Sequence, residues 1–401
     1  MSAVPKPAAA APSRLRDPIS AAELERRWSA TRAAMKAAGL EAIVVQSKED
    51  WMNGYTRWFM DQPATNAYPK SIVFPLEGLM TTCDVGMFDQ EATLDGNDPD
   101  NRGVGRRVFV PSFNGAVDYN GRYDAELMVR EIRKAGYKTV GLVCANGMYH
   151  GFVSGLKDGL KDVNWVDATD LVDNIKAIKS AEEIGRIKAT AAMQDKLWDM
   201  LLGYVKPGMK EYEVSAWFQY QGRLMGSNQG LFFTTAGTKL PLPPMNGYQQ
   251  SREIQKGDIV SILIENNGPG GFYTELGRTM VMGKAPQWLK DACAENVENQ
   301  RFCLDMLVPG TKCADVFARQ NEYMVSRGHS KERRILAHGQ GYEMVERPLI
   351  RHDENMVIRE DMHIAVHPMG SGFTGIDNYL IGPKGPTDCL HRTPKQIFEV
   401  Q

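Results

Sequence analysis

Apolar and polar positions alternate in short blocks along the first 175 residues. A helix is predicted to start at Ser20, which stands at capping-box spacing from Glu23, and to end near Gly39. The run EAIVV then reads as a buried strand. KSIVFP, RRVFVP and KTVGLVC read as further strands, with DAELMVREIRKAGY a helix between the last two. Strands alternating with helices predict an α/β domain over residues 19–175. No G-x-G-x-x-G follows a strand, so a phosphate-binding role is not expected of it. A second capping box, Ser180 with Glu183, opens a long helix and with it a second domain, residues 176–401. The Ala/Pro-rich residues 1–18 read as a disordered leader.

The second domain contains the stretch MHIAVHPMG, Met362 to Gly370, which has the alternation of a buried strand and stops at Pro368. It ends on a histidine, a poor strand former that is costly to bury without a partner or a chemical role. The same domain carries an internal repeat. KPGMKEYEV, from Lys206, matches VPGTKCADV, from Val308, at an offset of 102; the same offset carries Glu265 onto His367 and Glu275 onto Asp377. Two such copies related by a pseudo-twofold axis would converge these polar groups on one central site.

Composition narrows the function. The 401 residues suit two domains, and 43% hydrophobic and 24% charged residues are ordinary for a soluble protein. A net charge of -2 offers no basic excess for nucleic acid. Six cysteines without a C-x-x-C pair argue against a zinc or disulfide framework and for a cytoplasmic location. No run reaches membrane-spanning length.

IKSAEEI, the duplicated halves, GDIVSILIENNGPGGFYTELGRTMV, AHGQGYEMVERP and DMHIAVHPMG together resemble the creatinase / aminopeptidase P / methionine aminopeptidase superfamily. The resemblance implies a creatinase-type α/β N-terminal domain, an α+β pita-bread catalytic domain and a homodimer. It also implies a site built on five metal-ligand positions, which this chain fills unusually. The first Asp position looks like Leu263, with Glu265 two residues on. Glu275 stands for the second Asp, His338 for the histidine, His367 for a bridging glutamate and Asp377 for the last one. The creatinase pattern is not met either, since no histidine occurs between His150 and His329.

Imidazole offers one nitrogen where a bridging carboxylate offers two oxygens and a charge, so a two-metal centre is not expected. The reading is therefore a ring of acids and bases, with His338, His367, Glu265, Glu275 and Asp377 catalytic and no cofactor. The same five residues would be the ligands if a single divalent metal were held. Like charges close together push pKa values apart, which suits proton abstraction coupled to leaving-group protonation. The expectation is a metal-independent lyase acting on a small, apolar or aromatic molecule by elimination or retro-aldol cleavage. Arg278, Arg347 and Glu346 are assigned to polar substrate contacts, and Tyr273, Phe232 and Trp58 to the pocket wall. His363 lies on the same strand face as His367 but ~13 Å along it at ~3.3 Å per residue, which makes it structural. The alternatives are a creatinase-like C–N hydrolase or Xaa-Pro-type peptidase with a reduced metal site, and a non-catalytic binding module. The retained ionisable ring argues against the module.

Overall fold

Two units divide the chain, Met1–Ile175 and Lys176–Gln401. The structure is a computed structural model, and it describes residues 14–49, 51–64, 68–88, 90–111, 116–367, 370 and 372–401. Most of the expected leader, residues 1–13, lies outside the described residues, as does Pro368.

The first unit is built on a seven-stranded mixed sheet. Helix α1 (Ala21–Ala37) starts where Ser20 Oγ accepts the Glu23 N–H, while the Glu23 carboxylate is engaged by Arg26 and Arg27. Strand β1 (Ala42–Ser47) is buried throughout. After α2 (Tyr55–Met60) come β2 (Lys70–Pro75), β3 (Met80–Val85), β4 (Glu91–Thr93) and β5 (Val104–Val110). Then follow α3 (Tyr123–Ala135), β6 (Thr139–Leu142), α4 (His150–Gly159), β7 (Asn164–Asp167) and α5 (Thr169–Lys176). The sheet order is β4-β5-β3-β2-β1-β6-β7. The four expected strands are β1, β2, β5 and β6. Strands β3, β4 and β7 went unread, because β4 and β7 are short, mostly exposed edges and β3 carries Thr81, Thr82 and Asp84. Apolar residues of α3 and α4, Met128, Ile132, Phe152 and Leu156, pack on Val44, Val73, Val108 and Val140 of the sheet.

The second unit repeats one theme. Helix α6 (Ala181–Leu202) opens on a complete capping box between Ser180 and Glu183. Helix α7 (Glu211–Leu224) leads to β8 (Gly230–Gly237), β9 (Ile259–Asn267) and β10 (Tyr273–Met282). Helices α8 (Gln287–Leu304) and α9 (Cys313–Ser326) lead to β11 (Ala337–Gly339), β12 (Glu346–Ile350), β13 (His363–Val366), β14 (Asp377–Gly382) and β15 (Gly385–Pro386). Strand β16 (Phe398–Val400) returns to pair with β10.

The Pro-Gly turns of the repeat have equivalent hydrogen bonds. Gly208 N–H donates to Ile254 O and Ile254 N–H to Met209 O; in the second copy Gly310 N–H donates to Ile358 O and Ile358 N–H to Thr311 O. Both glycines have φ above 90°, a conformation that strains any residue with a Cβ.

Alternation along the strands then decides which face sees what. Val260, Ile262 and Ile264 of β9 enter a core with Trp198 and Phe218 of the helices, so Leu263 and Glu265 face the other way. Ala337, Ile364 and Val366 pack with Phe317 of α9, so His338 faces away from that core. A close crossing joins the sheets, where Gly277 of β10 bridges Ile376. A Cβ on Gly277 would sit 2.9 Å from the Ile376 Cβ. Among the described residues no helix is long and apolar enough to cross a membrane, and all six cysteines are free thiols.

Candidate metal centre

Glu265 and Glu275 stand directly opposite each other across the β9–β10 ladder. The antiparallel register makes them neighbours on one face, together with Leu263 and Gly277. From the second half, β11 brings His338, and the residue after β13 brings His367, whose N–H donates to Leu336 O. The His367 Nε2 lies 2.9 Å from Glu275 Oε2. The His338 Nε2 lies 3.6 Å from the same oxygen, and the two imidazoles meet edge to face with centroids 4.8 Å apart.

The tautomer of His338 follows from its other nitrogen. Nδ1 is 2.9 Å from the Gly339 carbonyl, which can only accept, so Nδ1 carries the proton. Neutral His338 therefore presents a bare Nε2 lone pair towards a carboxylate oxygen. Two electron-rich atoms aimed at one point are stabilised by a cation between them, and a backbone carbonyl on the second nitrogen is the usual support of a metal-bound histidine. The ligand atoms of Glu275, His338 and His367 all lie within 4.8 Å of one another. This set can hold one divalent ion, with two imidazoles and one carboxylate. No further family position supplies a donor to it: Leu263 is apolar, and Asp377 is engaged elsewhere.

Burial pushes the Glu275 carboxyl up, but without a bound cation the protonated forms of His367 and His338 beside it outweigh that and hold it well below the usual carboxylate range. Glu265 moves the other way, pushed well above its ordinary value by burial and then by the charge of Glu275. Without a bound cation the pair is thus driven apart, Glu275 towards the ionised form and Glu265 towards the neutral one. Gln340 Nε2 donates to Glu265 Oε1 and to Met344 O. Its Oε1 accepts from Asn378 Nδ2, which also donates to His363 Nε2, while Asn378 Oδ1 accepts the Glu275 N–H. His363 closes the ladder by donating from Nδ1 to Gln340 O; burial and Lys179 pull its pKa down to about 3, so it is a neutral structural histidine. Gln340 and Asn378 were not foreseen, although Gln340 sits inside the AHGQGYE stretch. A side-chain amide carries no charge signal, and only the fold shows what it holds.

Several expected site residues stand elsewhere. Asp377 is the first residue of β14 and pairs with Val366, on the helix side of the sheet. Its neighbour Asn378 takes the inward face. The Asp377 carboxylate is instead bonded by Arg278 Nη2 at 2.6 Å and by Gln300 Nε2 of α8 at 3.2 Å. Arg278 is therefore not a substrate clamp: its guanidinium is buried against Asp377 and the carbonyls of Gly277, Ile376, Thr393 and Pro394. Glu346 is not free for substrate either, because Lys179 and Lys176 clamp it in the interior. Arg347 forms a fork with Glu354. Phe232 pairs with Ile264 and packs on Phe218, on the face away from Glu265. Trp58 is wholly buried in the core of the first unit. Tyr273 does share the face of Glu275, two residues along β10. Leu231 and Phe233 of β8, opposite Glu265 and Leu263, complete that face.

The profile of Metallopeptidase family M24 matches residues 185–384. The Xaa-Pro dipeptidase of Pyrococcus horikoshii is 26% identical over 276 residues, covering 66% of this chain and 76% of its own length. The X-Pro aminopeptidase from Thermotoga maritima MSB8 has the same fold, with a TM-score of 0.75 at 16% identity, covering 93% of this chain and 99% of its own. Zn-substituted E. coli aminopeptidase P in complex with product gives 0.68 at 15%, covering 94% and 96%. These similarities speak for an enzyme and overturn the expectation of a metal-independent lyase. That expectation took the loss of two family carboxylates for the loss of metal chemistry, whereas Glu275, His338 and His367 still converge on one point.

Proposed function

Because the chain belongs to the creatinase / aminopeptidase P superfamily of pita-bread enzymes, we propose that it is a hydrolase. Its reaction on this reading is cleavage of the amide bond of a small Xaa-Pro-type substrate, with one divalent ion held by Glu275, His338 and His367. The observation that carries this reading is the bare His338 Nε2 aimed, with His367, at Glu275 Oε2. A divalent ion bound there supplies Lewis acidity and lowers the pKa of water within its reach.

The chain's own groups supply the rest. Burial raises the Glu265 carboxyl, and the Gln340 amide donor occupies its Oε1, so Oε2 is the oxygen open to carry a proton. Amide hydrolysis moves a proton from the attacking water to the departing nitrogen, and Glu265 Oε2 is the group that takes it from the first and returns it to the second. Leu231, Phe233 and Leu263 make the adjoining surface apolar, which suits a proline ring and limits water.

The test is metal analysis of the purified protein alongside release of proline from a panel of Xaa-Pro dipeptides. One tightly held ion per chain and hydrolysis abolished by chelation are expected. Substituting His367→Ala should weaken metal binding by more than about 100-fold, beyond the 10–100-fold typical of outer-shell partners. Glu265→Gln should keep the ion and lose about 10²–10⁴-fold in kcat. Full hydrolysis by metal-free protein, or by His367→Ala, would refute the one-ion reading.

A further inference from the structure

We propose a second cation site in the C-terminal half, distinct from the Glu275 centre and independent of the hydrolase reading. Asp377, Cys389 and His391 hold a zinc-class ion there. The atoms Asp377 Oδ1, Cys389 Sγ and His391 Nδ1 lie within 4.8 Å of one another. The Sγ is 3.4 Å from Asp377 Oδ1.

The hydrogen-bond geometry around His391 carries the inference. Its Nε2 lies 2.9 Å from the side-chain oxygen of Gln194. That oxygen is correctly assigned, because the Gln194 nitrogen faces the carbonyls of Ile264 and Thr274, which can only accept. Gln194 Oε1 also accepts from Thr274 Oγ1. The His391 Nε2 is therefore the protonated nitrogen, and Nδ1 bears a lone pair. Nδ1 is buried, has no hydrogen-bond partner among the described residues, and points at Asp377 Oδ1 from 3.8 Å. A lone pair buried against a carboxylate oxygen is unfavourable unless a cation lies between them.

The donor set selects the ion. Thiolate with imidazole and one carboxylate oxygen suits zinc or cobalt, and disfavours magnesium and calcium, which take oxygen. Binding forms a sulfur–metal bond and releases the Cys389 thiol proton, with no redox change. Arg278 and Lys395 also attend Asp377. Arg278 has four main-chain carbonyls besides, so it keeps partners when the ion takes its share of the carboxylate. Cys389 borders an open cleft of about 840 Å³ with Lys188, Asp195, Leu390 and Arg392, which gives the ion a way in.

The experiment titrates metal-free full-length protein with Co²⁺ and follows the near-ultraviolet absorption that only a thiolate ligand gives. The Glu275 centre has nitrogen and oxygen donors alone, so it contributes nothing to this band. The expected result is a band saturating at one equivalent, lost in Cys389→Ser and weakened at least tenfold in His391→Ala. Glu275→Gln should keep it while losing the other ion, so failure of the hydrolase reading and failure of this one are read separately. Circular dichroism of each variant shows that it folds. No band in the wild-type protein, or a band unchanged in Cys389→Ser, overturns the proposal.

Discussion

A carboxylate is defined by what faces it, and four acids of this chain illustrate the range. Without a bound cation Glu275 is driven towards the ionised form between two imidazoles and Glu265 towards the neutral one beside it, while Asp377 is paired with Arg278 and Glu346 with lysines. The sequence motif places all four near one another without distinguishing them. For Glu346 the partners are Lys176 and Lys179, some 170 residues earlier, in a stretch that reads as an ordinary helix approach. The Lys179–Glu346 pair is 1% exposed on both sides. Removing one partner of such a pair leaves a buried charge uncompensated. Glu346→Gln should therefore destabilise the protein by about 3–5 kcal/mol in urea titration. A substrate-contact role would instead raise KM and leave stability unchanged.

Element boundaries were legible where local chemistry announces them. Ser20 and Ser180 cap the helices they were expected to cap, and β2 spans the very run KSIVFP. The paired Pro-Gly turns were legible as a repeat because a glycine with positive φ admits no ordinary side chain. What could not be read was strand facing at the junction of the two halves. Asp377 and Asn378 are adjacent, and a single-residue difference in register exchanges the inward and outward side chains. The crossing of β10 over the segment before β14 sets that register, and Gly277 permits it. Gly277→Ala should cost about 1–3 kcal/mol by overpacking against Ile376. Because the crossing also aligns Glu275, metal affinity should fall in the same variant, measurable by competition with a chromophoric chelator.

The whole molecule responds to acid through groups held in unusual protonation states. In the folded, metal-free chain the pKa of His363 is lowered to about 3 and that of His391 to about 4, both by burial first. Unfolded, each binds a proton below about pH 6.5, so each withdraws stability as the pH falls. Glu265 acts oppositely, being neutral when folded and ionised when unfolded down to about pH 4.5. Each of these histidines costs up to about 1.4 kcal/mol per pH unit between pH 6.5 and 4.5, an effect that the raised carboxyls of Glu265, Glu211 and Asp61 offset in part. Denaturant midpoints across that window check the slope, and His363→Asn should lessen it. The capture of Asp377 by Arg278 also constrains the history that such a site can have. Changing His367 to glutamate would exchange one ligand of the one-ion centre for another, while Asp377 stayed bound to its arginine and Leu263 stayed apolar. Room for a second ion is therefore withheld at two places at once, the arginine-bound Asp377 and the apolar Leu263, and a change at His367 alone reaches neither.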